Sequence, residues 1–238
     1  MFEELYIATR IKEHRLYSDD EVRSLPRLSA RHLHSREWRI RSESARRLVD
    51  YLLVNNKSLK ILEVGCGNGW LSNTLSKIPT SVVTGIDINE KELDQASRLF
   101  QSANLRFVRG DIRAGILNSQ LFDVIVFAAS LQYFPSLKSI IDACLAHLKS
   151  EGEIHIIDTQ FYTKDAIAEA RERSAVYYRS IGCPEMTKHY FHHAFGTLSA
   201  YNYERIRKPL ALELLGISKS PFPWICIRHD NLNNTVGK

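Results

Sequence analysis

The sequence contains no apolar run approaching the roughly 20 residues that span a bilayer. Its start, Met1 to Lys12, alternates acids, bases and aromatics where a secretory leader would carry an apolar centre. Both absences predict a chain that stays in the cytoplasm and has no membrane partner. Cysteine is scarce and dispersed: Cys66, Cys144, Cys183 and Cys226 lie 39 to 78 residues apart, with no Cys-x-x-Cys pair. That spacing excludes a zinc ribbon and defines no disulfide framework. No internal repeat, low-complexity tract or Gly/Ser linker interrupts the chain. The net charge of +5 over 238 residues is mild. It permits an anionic substrate or RNA and demands neither, because blocks of like charge, not totals, mark nucleic-acid binders.

What is present is ordinary in bulk, with 44% hydrophobic and 25% charged residues, as in a soluble globular enzyme. The length suits one generous domain, or one domain with an appended cap. Residues 1–58 read as helical and polar, with a break at Leu25-Pro26. Within them, Ser35 to Leu53 places Trp38, Ile40 or Arg41, Ala45, Leu48 and Leu52 on one helical face, and Arg36, Arg39, Arg46 and Arg47 on the other.

From Leu59 the texture changes to strand–helix alternation. Strands are expected at Leu59–Val64, Val82–Asp87, Leu105–Arg109, Phe122–Ala128 and Glu153–Asp158, and helices at Gly69–Lys77, Glu90–Ser102 and Leu137–Lys149. Asn89 followed by Glu92 has capping-box spacing. Ile140, Ile141, Cys144, Leu145 and Leu148 form a stripe suited to covering a sheet. This alternation implies a parallel sheet with both faces covered, joined by right-handed crossovers. After Asp158 a helix is expected over Thr163–Gly182, then an aromatic, His-rich segment (His189 to Phe195). Two strand-like stretches follow, Asn202–Lys208 and Pro223–Arg228, spaced to pair antiparallel at a sheet edge.

The most informative segment is Leu59 to Trp70, in which an apolar run meets Gly65, Gly67 and Gly69 at alternate positions. Glycine tolerates positive φ and lets a ligand lie against bare backbone. Asp87 ends the next apolar run, 22 residues beyond Gly65, where a second strand would deliver a carboxylate to a ribose. A nucleoside-binding crevice is the result. The dinucleotide fingerprint Gly-x-Gly-x-x-Gly fits poorly, because its third glycine position holds Trp70. A nicotinamide oxidoreductase is disfavoured on that ground.

The spacing Glu63-x-Gly65-x-Gly67-x-Gly69 instead resembles motif I of the class I S-adenosylmethionine-dependent methyltransferases, and the resemblance extends over Leu59 to Arg228. It implies a three-layer α/β sandwich with a mostly parallel seven-stranded sheet and an antiparallel last strand. Residues 1–58 would be a helical N-terminal cap and residues 59–238 the methyltransferase domain, with a helical lid insert after the fifth strand, at about 161–195. S-adenosyl-L-methionine is the implied cofactor. Gly65, Cys66 and Gly67 would face its methionyl part and Glu63 would help place the amino group. Asp87 would bind the ribose hydroxyls, Ile88 would pack on adenine, and Asp111 with Ile112 would meet the adenine edge. Ala129 and Ser130 would border the donor methyl. In the cap, Trp38 with Arg39 or Arg41 would close over the cofactor, one Arg pairing with its carboxylate.

The acceptor side is less defined. Methyl transfer is an SN2 displacement in which alignment supplies much of the acceleration. A base is needed only when the acceptor atom keeps a proton at working pH. His189, His192 and His193 are the catalytic candidates, standing where substrate walls are built, against the alternative of surface or core histidines. His189 and His193 have i, i+4 spacing but no Glu completes a metal motif, so no metal is expected. Ala129-Ser130-Leu131-Gln132-Tyr133-Phe134 lacks the Asn/Asp-Pro-Pro-Tyr of base-amine methyltransferases and resembles small-molecule enzymes. Cys183-Pro184 reads as a turn. A small-molecule acceptor methylated on O or N is therefore expected, and nucleic acid is not. Two alternatives stay open: an RNA or protein methyltransferase docking on the Arg36–Arg47 stripe, and a binding protein that keeps the cofactor pocket without turnover.

Overall fold

A computed structural model describes residues 2–54, 57–207 and 220–229. Three helices come first: α1 (Phe2–Lys12), α2 (Asp19–Ser24) and α3 (Ser35–Leu53). Ser18 caps α2 with a complete capping box to Glu21. Then follow β1 (Lys60–Val64), α4 (Trp70–Leu75), β2 (Val82–Asp87), α5 (Glu90–Leu99), β3 (Leu105–Arg109), β4 (Phe122–Ala128), α6 (Leu137–Ala146) and β5 (Leu148–Ile157). The remaining elements are β6 (Phe161–Tyr162), α7 (Ala166–Ser180), β7 (His193–Ala194), β8 (Asn202–Arg205) and β9 (Ile225–Arg228). No helix among the described residues is long and apolar enough to cross a membrane.

The main sheet has seven strands in the order β3-β2-β1-β4-β5-β9-β8. The first five run parallel, and β9 is antiparallel to both β5 and β8. The order reverses at β1, and the crevice beyond the strand C-termini opens there. The strands are apolar on both faces, as a doubly covered sheet requires. Along β4, Ile125 and Phe127 join the core cluster that holds Ile140, Ile141 and Cys144 of α6. Val124 and Val126 alternate into the opposite cluster, with Trp38, Leu48 and Leu52 of α3 and Leu71 and Leu75 of α4. Thus α6 covers one face and α3 with α4 the other.

Several boundaries differ from the periodicity. The expected helix Leu137–Lys149 stops at Ala146, because β5 begins at Leu148 and pairs with Phe122 across a register shift. The expected strand at 153–158 ends at Ile157, and Asp158 turns out of the sheet with φ 54°. The helix expected from Thr163 begins at Ala166. The last residue of the expected 202–208 strand, Lys208, lies outside the described residues. A small parallel pair, β6 with β7, joins the two ends of the excursion that contains α7, and Phe161 stacks on Phe195 at 5.3 Å beside it.

Candidate functional site

The glycine turn sits where β1 and β2 end. Gly65 N–H and Cys66 N–H both donate to the Ile86 carbonyl, at 2.8 and 3.2 Å. Gly65 has φ 73°, and a Cβ there would stand 2.5 Å from Ser130 Cβ. Gly69 has φ 75°, and a Cβ there would meet the Phe107 ring at 2.6 Å. Neither position accepts a side chain, so the turn can lie close against both β4's exit and β3. Trp70, on the position that a dinucleotide site reserves for glycine, starts α4 and packs edge-on against Trp38 at 5.2 Å.

Asp87 ties this turn to the next helix. One carboxylate oxygen accepts Gly67 N–H and the other accepts Asn89 N–H, both at 2.8 Å. The carboxylate keeps further acceptor capacity for a ligand hydroxyl. Burial raises the Asp87 pKa, opposed by the N–H groups of Asn89, Gly67 and Ile88. Asn89 caps α5 by accepting Glu92 N–H at 3.1 Å. Its own N–H goes to Asp87, so the reciprocal bond of the expected capping box is not made.

These elements border a cavity of about 220 Å³. Of the residues singled out in the sequence, Gly65, Gly67, Asp87, Ile88, Asp111, Ile112, Ala129 and His189 line it. The Asp111 carboxylate is paired with Arg113, whose hydrogen bonds lower its pKa. Phe2, Glu3 and Tyr6 of α1 also line the cavity, a contribution not foreseen from sequence. Their only signal was the i, i+4 spacing of Phe2 and Tyr6. Glu3 accepts Glu90 N–H at 2.6 Å, which fastens α1 to the start of α5.

Four expected residues do not reach this cavity. Glu63 is 2% exposed and accepts the Ser72 hydroxyl at 2.5 Å; burial pushes its pKa up to about 8. The Cys66 thiol packs against β2, within 2.8 Å of where a Cβ on Gly85 would stand. Trp38 does not close over the site. It is buried between Tyr17 and Trp70, its indole N–H donating to Tyr17 Oη at 2.8 Å, because it lies on the apolar face of α3 that packs on the sheet. Arg41 lies over the Trp38 ring at 5.1 Å and lines a different cavity.

That second cavity, about 1040 Å³, meets the first at Ala129, Tyr133 and Phe191, which line both. Its floor is the exit of β4 and β5 and its walls come from α1, α3 and α7. Ala129 is itself left-handed (φ 52°), and its N–H donates to the Ile157 carbonyl at 3.1 Å. Beside it stands Asp158, 8% exposed, accepting the Ser44 hydroxyl at 2.6 Å. Burial pushes the Asp158 pKa up to about 6, against the opposing Ser44 hydrogen bond and the Arg41 charge. Glu37 pairs with both Arg15 (2.5 Å) and Arg41 (2.8 Å). Burial alone would raise Glu37, but the Arg15 hydrogen bond and the two positive charges hold it at about 2. Arg10 donates to Tyr133 Oη at 2.6 Å and to Glu13 at 2.8 Å. Tyr162, Tyr177, Tyr178 and Tyr190 give the same cavity an aromatic wall.

The three histidines separate. His189 lies against Phe2 with ring centroids 5.1 Å apart, in the smaller cavity. His192 lines the larger one, with Nε2 3.0 Å from Ser174 Oγ and a buried Nδ1 that has no hydrogen-bond partner among the described residues. His193 lines neither: its Nε2 is 3.1 Å from the Leu131 carbonyl. Burial lowers the pKa of both His192 and His193. Among the described residues one group has the composition of a metal site, Glu153, His155 and Cys226. There the Trp224 indole N–H donates to His155 Nδ1 at 3.1 Å, which leaves Nε2–H to donate to Glu153 at 3.1 Å. Both ring nitrogens are thus committed within a network that Arg228 and Tyr51 complete.

Residues 61–152 match the family described as a methyltransferase domain. Over 116 residues the chain is 34% identical to a malonyl-[acyl-carrier protein] O-methyltransferase of Acetivibrio thermocellus, covering 48% of this chain and 41% of that protein. Over 100 residues it is 33% identical to a ubiquinone biosynthesis O-methyltransferase of Coxiella burnetii, covering 41% and 42%. The chain thus spans about two fifths of the length of these curated relatives. Among solved structures, magnesium protoporphyrin IX methyltransferase from Synechocystis PCC 6803 with bound SAH aligns with a TM-score of 0.58 at 12% identity, over 92% of this chain and 98% of that one. The plantazolicin methyltransferase BpumL in complex with a monoazolic desmethylPZN analog and SAH aligns with a TM-score of 0.57 at 18% identity, over 95% and 96%. At these identities the structural likeness is one of fold.

Proposed function

We propose, because residues 61–152 match a methyltransferase domain, that the chain is a class I S-adenosylmethionine-dependent enzyme that transfers a methyl group to an oxygen or nitrogen of a small metabolite. The observation that carries this reading is the pair of communicating cavities. One lies under the glycine turn with the Asp87 carboxylate in its wall, and the other adjoins it at Ala129, Tyr133 and Phe191.

In this reading the smaller cavity takes the nucleoside. Asp87 accepts the ribose hydroxyls on its free lone pairs, Ile88 and Ile112 flank the adenine, and Asp111 receives its amino group. Gly65 and Gly67 present bare backbone to the methionyl part, where any Cβ on Gly65 would collide with Ser130. Glu63 and Cys66 support the turn from behind. The sulfonium then points toward Ala129 and the larger cavity. Arg41 or Arg10 is the cation available there for the methionyl carboxylate. Residues 1–58 act as a cap in which α1 roofs the nucleoside, and the excursion at about 161–195 is a lid over the acceptor. His192, with its unpartnered Nδ1, offers the acceptor a hydrogen bond.

Parallel calorimetric titrations with S-adenosylmethionine, S-adenosylhomocysteine and NAD test the reading. Micromolar binding of both sulfur nucleosides with none for NAD is expected. No binding of either sulfur nucleoside would refute it.

A further inference from the structure

Two left-handed residues that are not glycine, Ala129 (φ 52°) and Asp158 (φ 54°), stand side by side at the ends of β4 and β5. The Ala129 N–H to Ile157 carbonyl bond fixes their adjacency. Non-glycine residues in this region carry strain, which persists where the surrounding structure holds a side chain for a purpose. Both line the acceptor cavity, and Ala129 also lines the nucleoside cavity, so Asp158 stands at the passage between them. Asp158 is 8% exposed, which is unusual for an acid with no ion pair among the described residues. Among the described residues its one side-chain partner is Ser44, which donates to Oδ1 and leaves Oδ2 open to a ligand.

We propose that Asp158 is the general base of the methyl transfer, and that the acceptor atom is consequently one that carries a proton, a phenol hydroxyl or an amine, on an aromatic body. The inference rests on the methyltransferase reading above. In the step, a lone pair on the acceptor oxygen or nitrogen forms the new bond to the methyl carbon. The carbon–sulfur bond breaks with its electron pair staying on sulfur, and the acceptor's proton passes to Asp158 Oδ2 and on to solvent. A carboxylate acceptor needs no such base, since it is already ionised at neutral pH. The tyrosine and phenylalanine walls supply the surface for an aromatic body.

The charges that act on Asp158 come from α3. Arg41 favours the ionised form and Glu37 opposes it, while Ser44 donates to it and burial outweighs them all. The resulting value of about 6 places the group close to neutral pH, where a base combines sufficient ionisation with sufficient proton affinity. Sequence reading missed Asp158 because an acid ending a strand is a common turn former. Its burial and backbone are visible only in three dimensions.

The test measures tritiated methyl transfer by the full chain to catechol, 4-hydroxyphenylacetate, phenethylamine and phenylacetate, with Asp158→Asn and Ser44→Ala alongside wild type. Asn tolerates left-handed φ and can still accept from Ser44, so the variant should fold. Expected is label on a phenol or amine and none on phenylacetate, with kcat/KM falling below about pH 6. Asp158→Asn should lower kcat at least 100-fold, abolish that acid limb and leave the Kd for S-adenosylhomocysteine within twofold. Ser44→Ala, which removes the tether and keeps the base, should lose less than tenfold. Turnover by Asp158→Asn within threefold of wild type would overturn the assignment, as would Ser44→Ala matching Asp158→Asn. Label on phenylacetate alone, or on no compound while S-adenosylhomocysteine still binds, would overturn it and leave the cofactor reading intact. Failure to bind S-adenosylhomocysteine would remove both.

Discussion

Replacing Gly65 by alanine tests the geometry of the glycine turn directly. The residue has φ 73°, and placing a Cβ in the left-handed region costs about 1–2 kcal/mol. The new methyl would also stand 2.5 Å from Ser130 Cβ, a separation that cannot persist. Ser130 is 5% exposed and its hydroxyl donates to the Val64 carbonyl at 2.6 Å, so moving it endangers a buried hydrogen bond. Leaving that carbonyl unsatisfied costs about 1–3 kcal/mol. Together the two effects predict a loss of about 2–5 kcal/mol. Urea unfolding followed by tryptophan fluorescence should show a lower midpoint at unchanged slope. A double-mutant cycle with Ser130→Gly separates the parts: the collision is relieved in Gly65→Ala/Ser130→Gly, while the backbone strain stays. A coupling energy of about 1–3 kcal/mol between the two positions is expected. Coupling below about 0.5 kcal/mol, with a single-variant loss under about 1 kcal/mol, would refute the argument that close approach to the β4 exit demands glycine.

Three further outcomes follow from the same structure. Asp87→Ala should weaken S-adenosylhomocysteine binding by about 1–3 kcal/mol through loss of charge-assisted hydrogen bonds, and unchanged affinity by calorimetry would remove the ribose assignment. Glu63 has a folded pKa raised to about 8, so folding takes up a proton between its unfolded value and that pH. Its contribution is complete below the unfolded pKa of 4.5 and is lost as pH rises through about 8. Glu63→Gln should therefore flatten the decline in urea midpoint between about pH 5 and about pH 9, and parallel declines in the two proteins would contradict it. Trp38→Phe removes the bond to Tyr17 and should cost about 1 kcal/mol in unfolding measurements while leaving S-adenosylhomocysteine affinity within twofold. A large loss of affinity instead would return Trp38 to the site.

Much of the smaller cavity's wall was legible in the sequence because its determinants are local. The three glycines follow an apolar strand at fixed spacing, and Asp87 terminates the next one. The backbone geometry of a strand–turn–helix unit then decides where those residues stand. The parallel direction of the first five strands was legible for the same reason, since each crossover constrains the next strand to lie parallel, whereas their order in the sheet was not. The late antiparallel pair was readable from two short β-type runs, although its registers with β5 were not.

Positions on α3 show where local reasoning stopped. Trp38 and Arg41 lie on the same expected face, yet one became core and the other cavity wall, because helix periodicity defines a face and not what that face meets. Glu63 lies within the motif and still turns behind it, since successive strand residues point to opposite sides of the sheet. The three histidines, five residues in all from His189 to His193, part company because β7 turns His193 toward the Leu131 carbonyl.

By itself the sequence determined the layered fold and the glycine turn with its carboxylate, because these depend on residue spacing and backbone conformation. Only the tertiary structure decided that α1 roofs one cavity, that two cavities meet at Ala129, and that Asp158 is buried beside it. Those facts arise from contacts between segments more than 100 residues apart, such as Ser44 with Asp158 and Arg10 with Tyr133. No periodicity in the chain encodes them.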